Sequence, residues 1–492
     1  MRTSYGMTSL QALIRKKYDL LVVALALGVL LVAATYNLSN SPAIWYDEGF
    51  YTQAAMNLGA TGSQGLQIAP GVYESTGYVT VGYPLLYPVS VAYDTFGVSV
   101  LSGRSVMVVF ILLFAGAAYV LMRRLFSGRT AAHTLLLLST FPMLYGNGKS
   151  VLGEVPGLFF LVLTLLAFLW LERSSYRGFM QYACVGLAAG FCAATKPIFA
   201  ILAVALFIAW LVRHKTSPLE LSGVVSGIAG FLFPLTIWFS FQFSGQESAA
   251  AIFAAYANPY EANDMIALAI TNSIRFFTES TPLFTLLLTT VWGASFLLRR
   301  GKRIVSTTEL GAFIFAILIM LHYLRMEGWY RYLFPATIVA LLFLPSALTA
   351  LYEWASTHSH HLRRMRWAPT ALVLILASLQ LYQTTFASYV ANYYASTRTE
   401  KVTAVLTALG PDVSLFLYDA PELAILMPST KYYQYIHPHP GLEIGKDQLE
   451  VLRIGTADYV IAGAVSVAEA PESFSAYVPF IEVGPYVVLQ RN

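Results

Sequence analysis

The chain has 492 residues, of which 57% are apolar and only 11% are charged, and its mean hydropathy is +0.62. Soluble globular proteins carry about 25% charged residues, so this composition excludes a cytosolic enzyme, a disordered chain and a disulfide-rich secreted fold. The formal net charge of +4 becomes informative only when the charges are divided between the two sides of a membrane.

Apolar segments long enough to cross a bilayer recur along the chain and predict about eleven transmembrane helices. A shorter apolar stretch, residues 83–97, carries Pro84 and Pro88 near its start, and we expect it to lie along the outer membrane surface without crossing. The predicted spans are residues 18–36, 104–122, 130–147, 155–172, 179–195, 197–212, 221–243, 282–298, 308–325, 332–352 and 368–386.

Basic clusters predict the orientation, because Lys and Arg accumulate in cytoplasmic loops. All the clusters face the cytoplasm together only if residues 83–97 do not cross the membrane. The chain is then an integral protein of the plasma (inner) membrane with a cytoplasmic N-terminus, and its first span is an uncleaved anchor. The clusters are residues 15–17, 123–124, 213–215, 299–303 and 363–366.

Three regions are predicted on the outer face: a long first loop at 37–103, a mid-chain loop at 244–281 and a tail from about 390 to 492. The mid-chain loop is rich in aromatic and small residues. It is either a lid over a substrate site or an interfacial helix whose motion has no part in function.

The tail differs in character from the rest of the chain, since prolines separate short alternating apolar patterns. We therefore divide the chain into a membrane domain, residues 1–389, and an extracytoplasmic mixed α/β domain, residues 390–492. Strands are predicted at 413–418 and 459–464, and helices at 398–409 and 446–454.

Two adjacent carboxylates, Asp47 and Glu48, follow the first span within a group of aromatic residues. On a helix that begins there, Asp47 and Tyr51 share one face and Glu48 points about 100° away. The two acids can therefore perform two different tasks. The alternative is that they only begin an interfacial helix, whose positive dipole end favours acids.

Two further ionisable residues stand at the predicted outer ends of spans. Glu154, between Gly153 and Pro156, is either a substrate or metal contact or an ordinary helix start. Lys196 lies between two apolar runs on the outer side, where a lysine that sets topology is not expected. It predicts an anion-binding site, with a snorkelling side chain at the lipid surface as the alternative.

Two arginines are also predicted at the outer surface of the membrane. The guanidinium of Arg331 suits a phosphate, and its neighbours Tyr330 and Tyr332 serve as interfacial anchors or stack on a sugar. Arg104 is a further outward cation. Together these groups suit transfer from a lipid-linked phosphate, because a carboxylate takes the acceptor proton while cations stabilise the departing phosphate.

In their order and sidedness these residues resemble the GT-C membrane glycosyltransferases of the family 39 type, the group of protein O-mannosyltransferases and the lipid A aminoarabinose transferase. The resemblance implies an all-α polytopic membrane fold with interfacial helices in the first loop. It also implies an inverting enzyme that moves a hexose or pentose from a polyprenyl-phosphate donor to an acceptor hydroxyl on a protein, lipid or glycan. The matching residues are Trp45-Tyr46-Asp47-Glu48, Arg104, Arg123-Arg124, Glu154, Pro156, Lys196 and Arg331-Tyr332.

The resemblance also implies roles for individual residues. Asp47 is the expected general base, and Glu48 is its partner in arranging the site. Glu154 matches a second acidic position that contacts the acceptor or a metal. Lys196 and Arg331 match basic positions that hold the donor phosphate.

The chain departs from the family pattern in its first loop, where it reads Gly82-Tyr83-Pro84 and many relatives have a basic residue before the proline. A phosphate contact is therefore missing or relocated. The sequence contains no ligand cluster that requires a metal, which leaves a divalent cation open, and it indicates no nucleic-acid partner. The competing class is a transporter or lipid flippase with an outer ligand-binding domain, which should carry charges near the membrane midplane and paired halves.

Overall fold

A computed structural model of the chain describes residues 4–75, 77, 80–174, 178–213, 221–243, 264–299, 305–427, 430–439 and 442–492. The described residues are mainly helical, and a six-stranded sheet lies near the C-terminus. The helices are α1 (Ser4–Thr35), α2 (Tyr46–Thr61), α3 (Tyr83–Phe96), α4 (Val100–Leu125), α5 (Gly128–Thr140), α6 (Pro142–Gly148), α7 (Glu154–Arg173), α8 (Phe179–Thr195), α9 (Ile201–Arg213), α10 (Leu221–Gln242), α11 (Met265–Thr278), α12 (Ser280–Leu298), α13 (Thr307–Tyr323), α14 (Phe334–His358), α15 (His360–Arg364), α16 (Ala368–Tyr382), α17 (Arg398–Leu409), α18 (Leu449–Arg453) and α19 (Ala464–Glu469).

The predicted membrane fold is confirmed, since each of the predicted spans coincides with helical structure. Among the described residues, 7 helical stretches are long and apolar enough to cross a membrane, and four shorter apolar helices accompany them. The number of helices that actually cross therefore stays a prediction. The long stretches are Lys17–Thr35, Val100–Leu125, Glu154–Arg173, Leu221–Gln242, Ser280–Leu298, Phe334–His358 and Ala368–Leu409.

The short apolar stretch in the first loop forms α3, which has 14 residues. A span needs about 20 residues, so the length of this helix fits the expectation that it lies along the membrane, which stays a prediction. It packs against α2 and α4. In the mid-chain loop, α11 is a helix, whereas residues 244–263 of the predicted lid lie outside the described residues.

The tail contains the mixed α/β structure that the sequence predicts. The predicted helices correspond to α17 and α18, and the predicted strands to β3 and β6. The sheet has the order β5-β4-β3-β6-β8-β7, and β3 runs parallel to both β4 and β6. The strands are β3 (Leu415–Tyr418), β4 (Tyr432–His439), β5 (Leu442–Ile444), β6 (Tyr459–Gly463), β7 (Tyr477–Val483) and β8 (Tyr486–Arg491); β1 (Gly65–Ala69) and β2 (Val72–Ser75) form a hairpin in the first loop.

The first loop and the tail pack together at one end of the helical bundle. The buried side chain of Gln53 donates to the backbone oxygen of Pro421 at 2.9 Å and to the side chain of Gln434 at 3.0 Å. A Cβ atom on Gly49 would overlap the backbone of Glu422. The two regions that are predicted outside the membrane therefore form one continuous layer over the bundle.

Candidate active site

Asp47 and Glu48 lie in the first turn of α2 but in different environments. Glu48 accepts a hydrogen bond from the backbone nitrogen of Trp45 at 3.2 Å, which caps the start of the helix, and it is only 1% exposed. The side chain of Asp47 remains 22% exposed. The sequence correctly predicts that the two adjacent acids point in different directions.

Glu48 forms a buried ion pair with Arg104 of α4. The Nε and Nη2 atoms of Arg104 donate to the two carboxylate oxygens at 2.8 and 2.7 Å, and Nη1 donates to the backbone oxygens of Leu38 and Pro42 at 2.9 and 2.8 Å. The backbone nitrogen of Val151 donates to Glu48 at 3.0 Å. The pair thus joins the end of the first span, α2, α4 and the loop that leads to α7.

This location bears on two predicted roles. Arg104 is predicted to contact substrate and Glu48 to be the partner of Asp47 in arranging the site, and both side chains are almost completely buried. Their charged atoms are already used by each other and by the backbone, so neither has a free surface for a substrate. We assign Glu48 and Arg104 as positioning residues that hold α2 in place.

Asp47 pairs with Arg331, which comes from a distant part of the chain. Arg331 lies on a 3-10 turn, Tyr330–Tyr332, directly before α14. Its guanidinium lies 5.2 Å from the centre of the Tyr332 ring, so Tyr332 supports the arginine as a cation–π partner. Because the side chains of Asp47 and Arg331 are 22% and 18% exposed, a ligand can reach both.

The electrostatics around Arg331 show that the predicted charges converge. Burial alone would lower the pKa of Arg331, but the carboxylate of Asp47, and more weakly Tyr51 and Glu154, raise it well above its usual range. Burial raises the pKa of Tyr51, and the negative charge of Asp47 adds to this effect. Tyr51 was not a predicted site residue, although helical spacing had placed it on the same face as Asp47.

Glu154 and Lys196 form a second ion pair beside the first. Their side chains are only 2% and 7% exposed, and the ammonium of Lys196 donates to the Oε1 atom of Glu154. The other carboxylate oxygen of Glu154 is buried and, within the part of the chain that the structure describes, has no hydrogen-bond partner. Buried polar atoms are normally satisfied, so this oxygen is a candidate acceptor for a ligand hydroxyl.

Close packing at Gly82 joins the first loop to the end of α8, next to Lys196. The backbone nitrogen of Gly82 donates to the oxygen of Thr195 at 3.1 Å, directly before Lys196. A Cβ atom on Gly82 would overlap the backbone of Ala194 and the ring of Trp238. The residue directly before Pro84 is Tyr83, so Lys196 is the cation at this junction of α3 and α8.

The tail reaches the first turn of α2 through Tyr46, the residue before Asp47. The hydroxyl of Tyr46 donates to Asp419 Oδ1 at 2.5 Å, and the backbone nitrogen of His437 donates to the same oxygen at 2.9 Å. Asp419 has a φ of +50°, a conformation that aspartate adopts more readily than most residues. The sequence gives no signal for this contact, because nothing in the tail indicates which residues face the first loop.

Lys149 is a buried lysine next to the ion pair of Glu48 and Arg104. It is 0% exposed, and its ammonium donates to the backbone oxygen of Tyr36 at 2.7 Å. Burial, and more weakly the positive charge of Arg104, lowers the pKa of Lys149 to about 7. The lysine therefore changes charge in the folded protein near neutral pH.

We expect Lys149→Met to alter how stability depends on pH. Between the folded pKa of about 7 and the unfolded value of about 10.4, only the unfolded chain binds the proton. The free energy of unfolding of the natural protein should therefore rise with pH by up to about 1.4 kcal/mol per unit. Lys149→Met should lack this rise. Thermal unfolding of both proteins between pH 6 and 9.5 tests this, and parallel curves would contradict the assignment.

This end of the molecule contains a cavity large enough for a ligand. Within the described ranges, no group of three or more His, Cys, Asp or Glu side chains is arranged to hold a metal ion. The requirement for a divalent cation stays an open prediction. The cavity, of about 470 Å³, lies beside Arg331, and the predicted site residue Tyr330 also lines it.

Comparisons with known proteins show which family and which solved structures the chain resembles. Residues 85–238 match the family described as dolichyl-phosphate-mannose-protein mannosyltransferase. The chain matches no curated protein by sequence. ArnT from Cupriavidus metallidurans has a similar structure in the apo state, with a TM-score of 0.63 and 14% identity over 97% of this chain and 98% of ArnT.

Two further solved structures are similar. ArnT from Cupriavidus metallidurans bound to undecaprenyl phosphate has a TM-score of 0.64 at 15% identity, over 96% of this chain and 98% of ArnT. The Archaeoglobus fulgidus oligosaccharyltransferase AglB, in complex with an inhibitory peptide and a dolichol-phosphate, has a TM-score of 0.57 at 13% identity. The match covers 94% of this chain and 71% of AglB. The comparisons confirm the resemblance to GT-C membrane glycosyltransferases in fold.

Proposed function

We propose that this chain, which has the fold of the GT-C membrane glycosyltransferases, transfers a sugar from a polyprenyl-phosphate donor to an acceptor hydroxyl with inversion at the anomeric carbon. The observation that carries the proposal is the convergence of Asp47, Glu154, Lys196 and Arg331 at one end of the bundle. These residues come from four separate segments.

Asp47 acts as the general base in this proposal. Its carboxylate takes the proton of the acceptor hydroxyl, and the acceptor oxygen then attacks the anomeric carbon of the donor. The bond between that carbon and the phosphate oxygen breaks, and the lipid phosphate leaves with the bonding electrons. Arg331 and Lys196 stabilise the negative charge of the departing phosphate.

In the structure, Arg331 pairs with Asp47 and Lys196 pairs with Glu154. Each of these cations has several N–H donors, so an incoming lipid phosphate can bind the same two cations. The phosphate then competes with Asp47 for Arg331 and with Glu154 for Lys196. Binding of the donor would thus free Asp47 to accept a proton. The buried second oxygen of Glu154 is placed to receive a hydrogen bond from the acceptor.

The proposed sidedness rests on the two ends of the helices. Arg104 lies in the first turns of α4, and Arg331 lies just before α14. At the opposite ends, residues 123–124 form part of the last turn of α4, and the cluster at 363–366 follows α14. Basic clusters accumulate on the cytoplasmic side. We therefore place the site and the tail outside the plasma membrane, with residues 390–492 as a separate extracytoplasmic domain and a protein, lipid or glycan as acceptor.

Purified protein in a membrane mimetic tests the activity directly. We expect it to transfer the radiolabelled sugar of an undecaprenyl-phosphate-linked donor to hydroxyl acceptors extracted from the cell envelope. Release of labelled product that depends on Asp47 supports the enzyme. Movement of the intact lipid between leaflets, with no bond broken, would support the flippase alternative instead.

Lys196 allows a separate prediction about donor binding. We expect Lys196→Ala to weaken binding of undecaprenyl phosphate by about tenfold to a hundredfold, the value of hydrogen bonds to a charged group. Because the substitution leaves Glu154 buried without its partner, it also destabilises the protein. Calorimetric titration with undecaprenyl phosphate measures the affinity, with the natural protein and the variant at equal concentrations of folded protein.

A double variant separates these two effects. Lys196→Ala combined with Glu154→Gln removes the unpaired charge, and we expect it to regain stability while its affinity for undecaprenyl phosphate stays low. Normal affinity in the double variant would show that Lys196 only neutralises Glu154.

A further inference from the structure

The cavity beside Arg331 has an aromatic wall. Its volume is about 470 Å³, within the usual range for small-molecule pockets of roughly 300–1,000 Å³. Trp45 is 6.4 Å from Trp329 and 6.4 Å from Tyr389 between ring centres, and both pairs are nearly perpendicular. Trp45 directly precedes the first turn of α2, so the wall lies next to the proposed catalytic residues.

Two side-chain amides face the same cavity. Asn147 uses its nitrogen to hold the backbone oxygen of Met143 at 3.1 Å, which leaves its carbonyl oxygen for another donor. Gln383 begins a π-helical turn, Gln383–Ala387, at the end of α16. Such turns occur frequently at functional sites. Here the turn places an amide on the cavity, at the end of an otherwise apolar helix.

The charge of the cavity wall restricts the ligand. Among the described residues, Arg331 is the charged side chain that lines it, and no lining carboxylate is present in that part of the chain. Asp47 offsets the charge of Arg331 but does not line the cavity, so the lining that the structure describes offers an ammonium group no carboxylate of its own. Aromatic faces attract cations, but by less than the dehydration of an unpaired ammonium costs.

We propose that this cavity binds a neutral sugar ring, with Trp45, Trp329 and Tyr389 against its C–H faces and the amides of Asn147 and Gln383 on its hydroxyl groups. The inference rests on the proposed function and names its substrate class. Aromatic surface together with a few placed amides is the composition that orients a polyhydroxylated ring. A sugar that carries an ammonium group lacks a carboxylate partner here and should bind less well.

The ring belongs either to the donor or to the acceptor, and binding measurements distinguish the two. The probes are undecaprenyl phosphate, undecaprenyl-phosphate mannose, undecaprenyl-phosphate aminoarabinose and methyl mannoside. The reference lipid is the methyl ester of undecaprenyl phosphate, because it and the mannose lipid are phosphodiesters of equal charge. If the donor sugar occupies the cavity, we expect the mannose lipid to bind at least about fivefold more tightly than this methyl ester, the value of one hydrogen bond. If the acceptor sugar does, the two diesters bind equally and methyl mannoside quenches the tryptophan fluorescence.

Variants connect the effect to the cavity. Gln383→Leu and Trp329→Leu should abolish the advantage of the mannose lipid, or the binding of methyl mannoside, while affinity for undecaprenyl phosphate is retained. Phe386→Leu is the matched control, because Phe386 lies on the same π-helical turn, is 70% exposed and does not line the cavity.

Three results would overturn the inference. They are tightest binding of the aminoarabinose lipid, equal weakening of all the lipids by the cavity variants, and no response to any sugar-containing probe. Failure of undecaprenyl phosphate itself to bind would instead count against the proposed function, and the methyl mannoside measurement would still test the cavity.

Discussion

Replacement of Asp47 by asparagine should reduce sugar transfer by about a hundredfold or more and leave the protein folded. General bases contribute about 10²–10⁴ to rate, and an amide cannot take a proton from the acceptor hydroxyl. The introduced amide would still accept a hydrogen bond from Arg331 through its oxygen, so the turn that carries this arginine should keep its position. The measurement is the initial rate of transfer from a radiolabelled polyprenyl-phosphate sugar.

Two controls make the result specific to the base. Asp412→Asn removes a carboxylate whose side chain is 93% exposed, and we expect it to leave the rate unchanged. Undecaprenyl phosphate should bind Asp47→Asn at least as tightly as the natural protein, because Arg331 no longer has a competing carboxylate. Turnover of Asp47→Asn at the natural rate would eliminate Asp47 as the base.

The sequence predicts the level of each charge in the membrane but not its partner. Apolar runs and basic clusters place Asp47, Glu154, Lys196 and Arg331 near the outer surface, and the structure brings these four together. The same reasoning places Arg104 at that level without indicating that it is buried. Pairing depends on how helices rotate and pack, which hydropathy does not specify.

In the tail, the sequence predicts some strands of the sheet but not the contacts that the sheet makes. Its strands β3 and β6 are continuous apolar runs and are predicted from sequence, because buried parallel strands have this pattern. In contrast, β4 contains Tyr432, Gln434 and Pro438, and its apolar pattern is interrupted. The buried side chain of Gln434 accepts a hydrogen bond from Gln53 across the junction with the first loop. This tertiary contact explains why a polar residue stands in the middle of β4.

Arg104→Ala should lower the free energy of unfolding by about 3–5 kcal/mol, the usual cost of removing one partner from a buried ion pair. Glu48 would remain buried and charged, and the backbone oxygens of Leu38 and Pro42 would lose their donors. The loss should appear in chemical or thermal unfolding in a fixed detergent. Lys446→Ala is the control, since its ion pair with Glu443 is exposed and should contribute less than about 1 kcal/mol.

A double variant tests whether this large effect comes from the pair or from a substrate contact. Arg104→Met with Glu48→Gln removes both charges, so we expect it to recover part of the stability that Arg104→Ala loses. If the double variant recovers stability but does not fully recover sugar transfer, Glu48 and Arg104 act as positioning residues. In that case α2 is folded, but Asp47 on its first turn is held less firmly. If Arg104 contacts the substrate instead, Arg104→Ala should raise the KM for donor or acceptor while the free energy of unfolding stays unchanged.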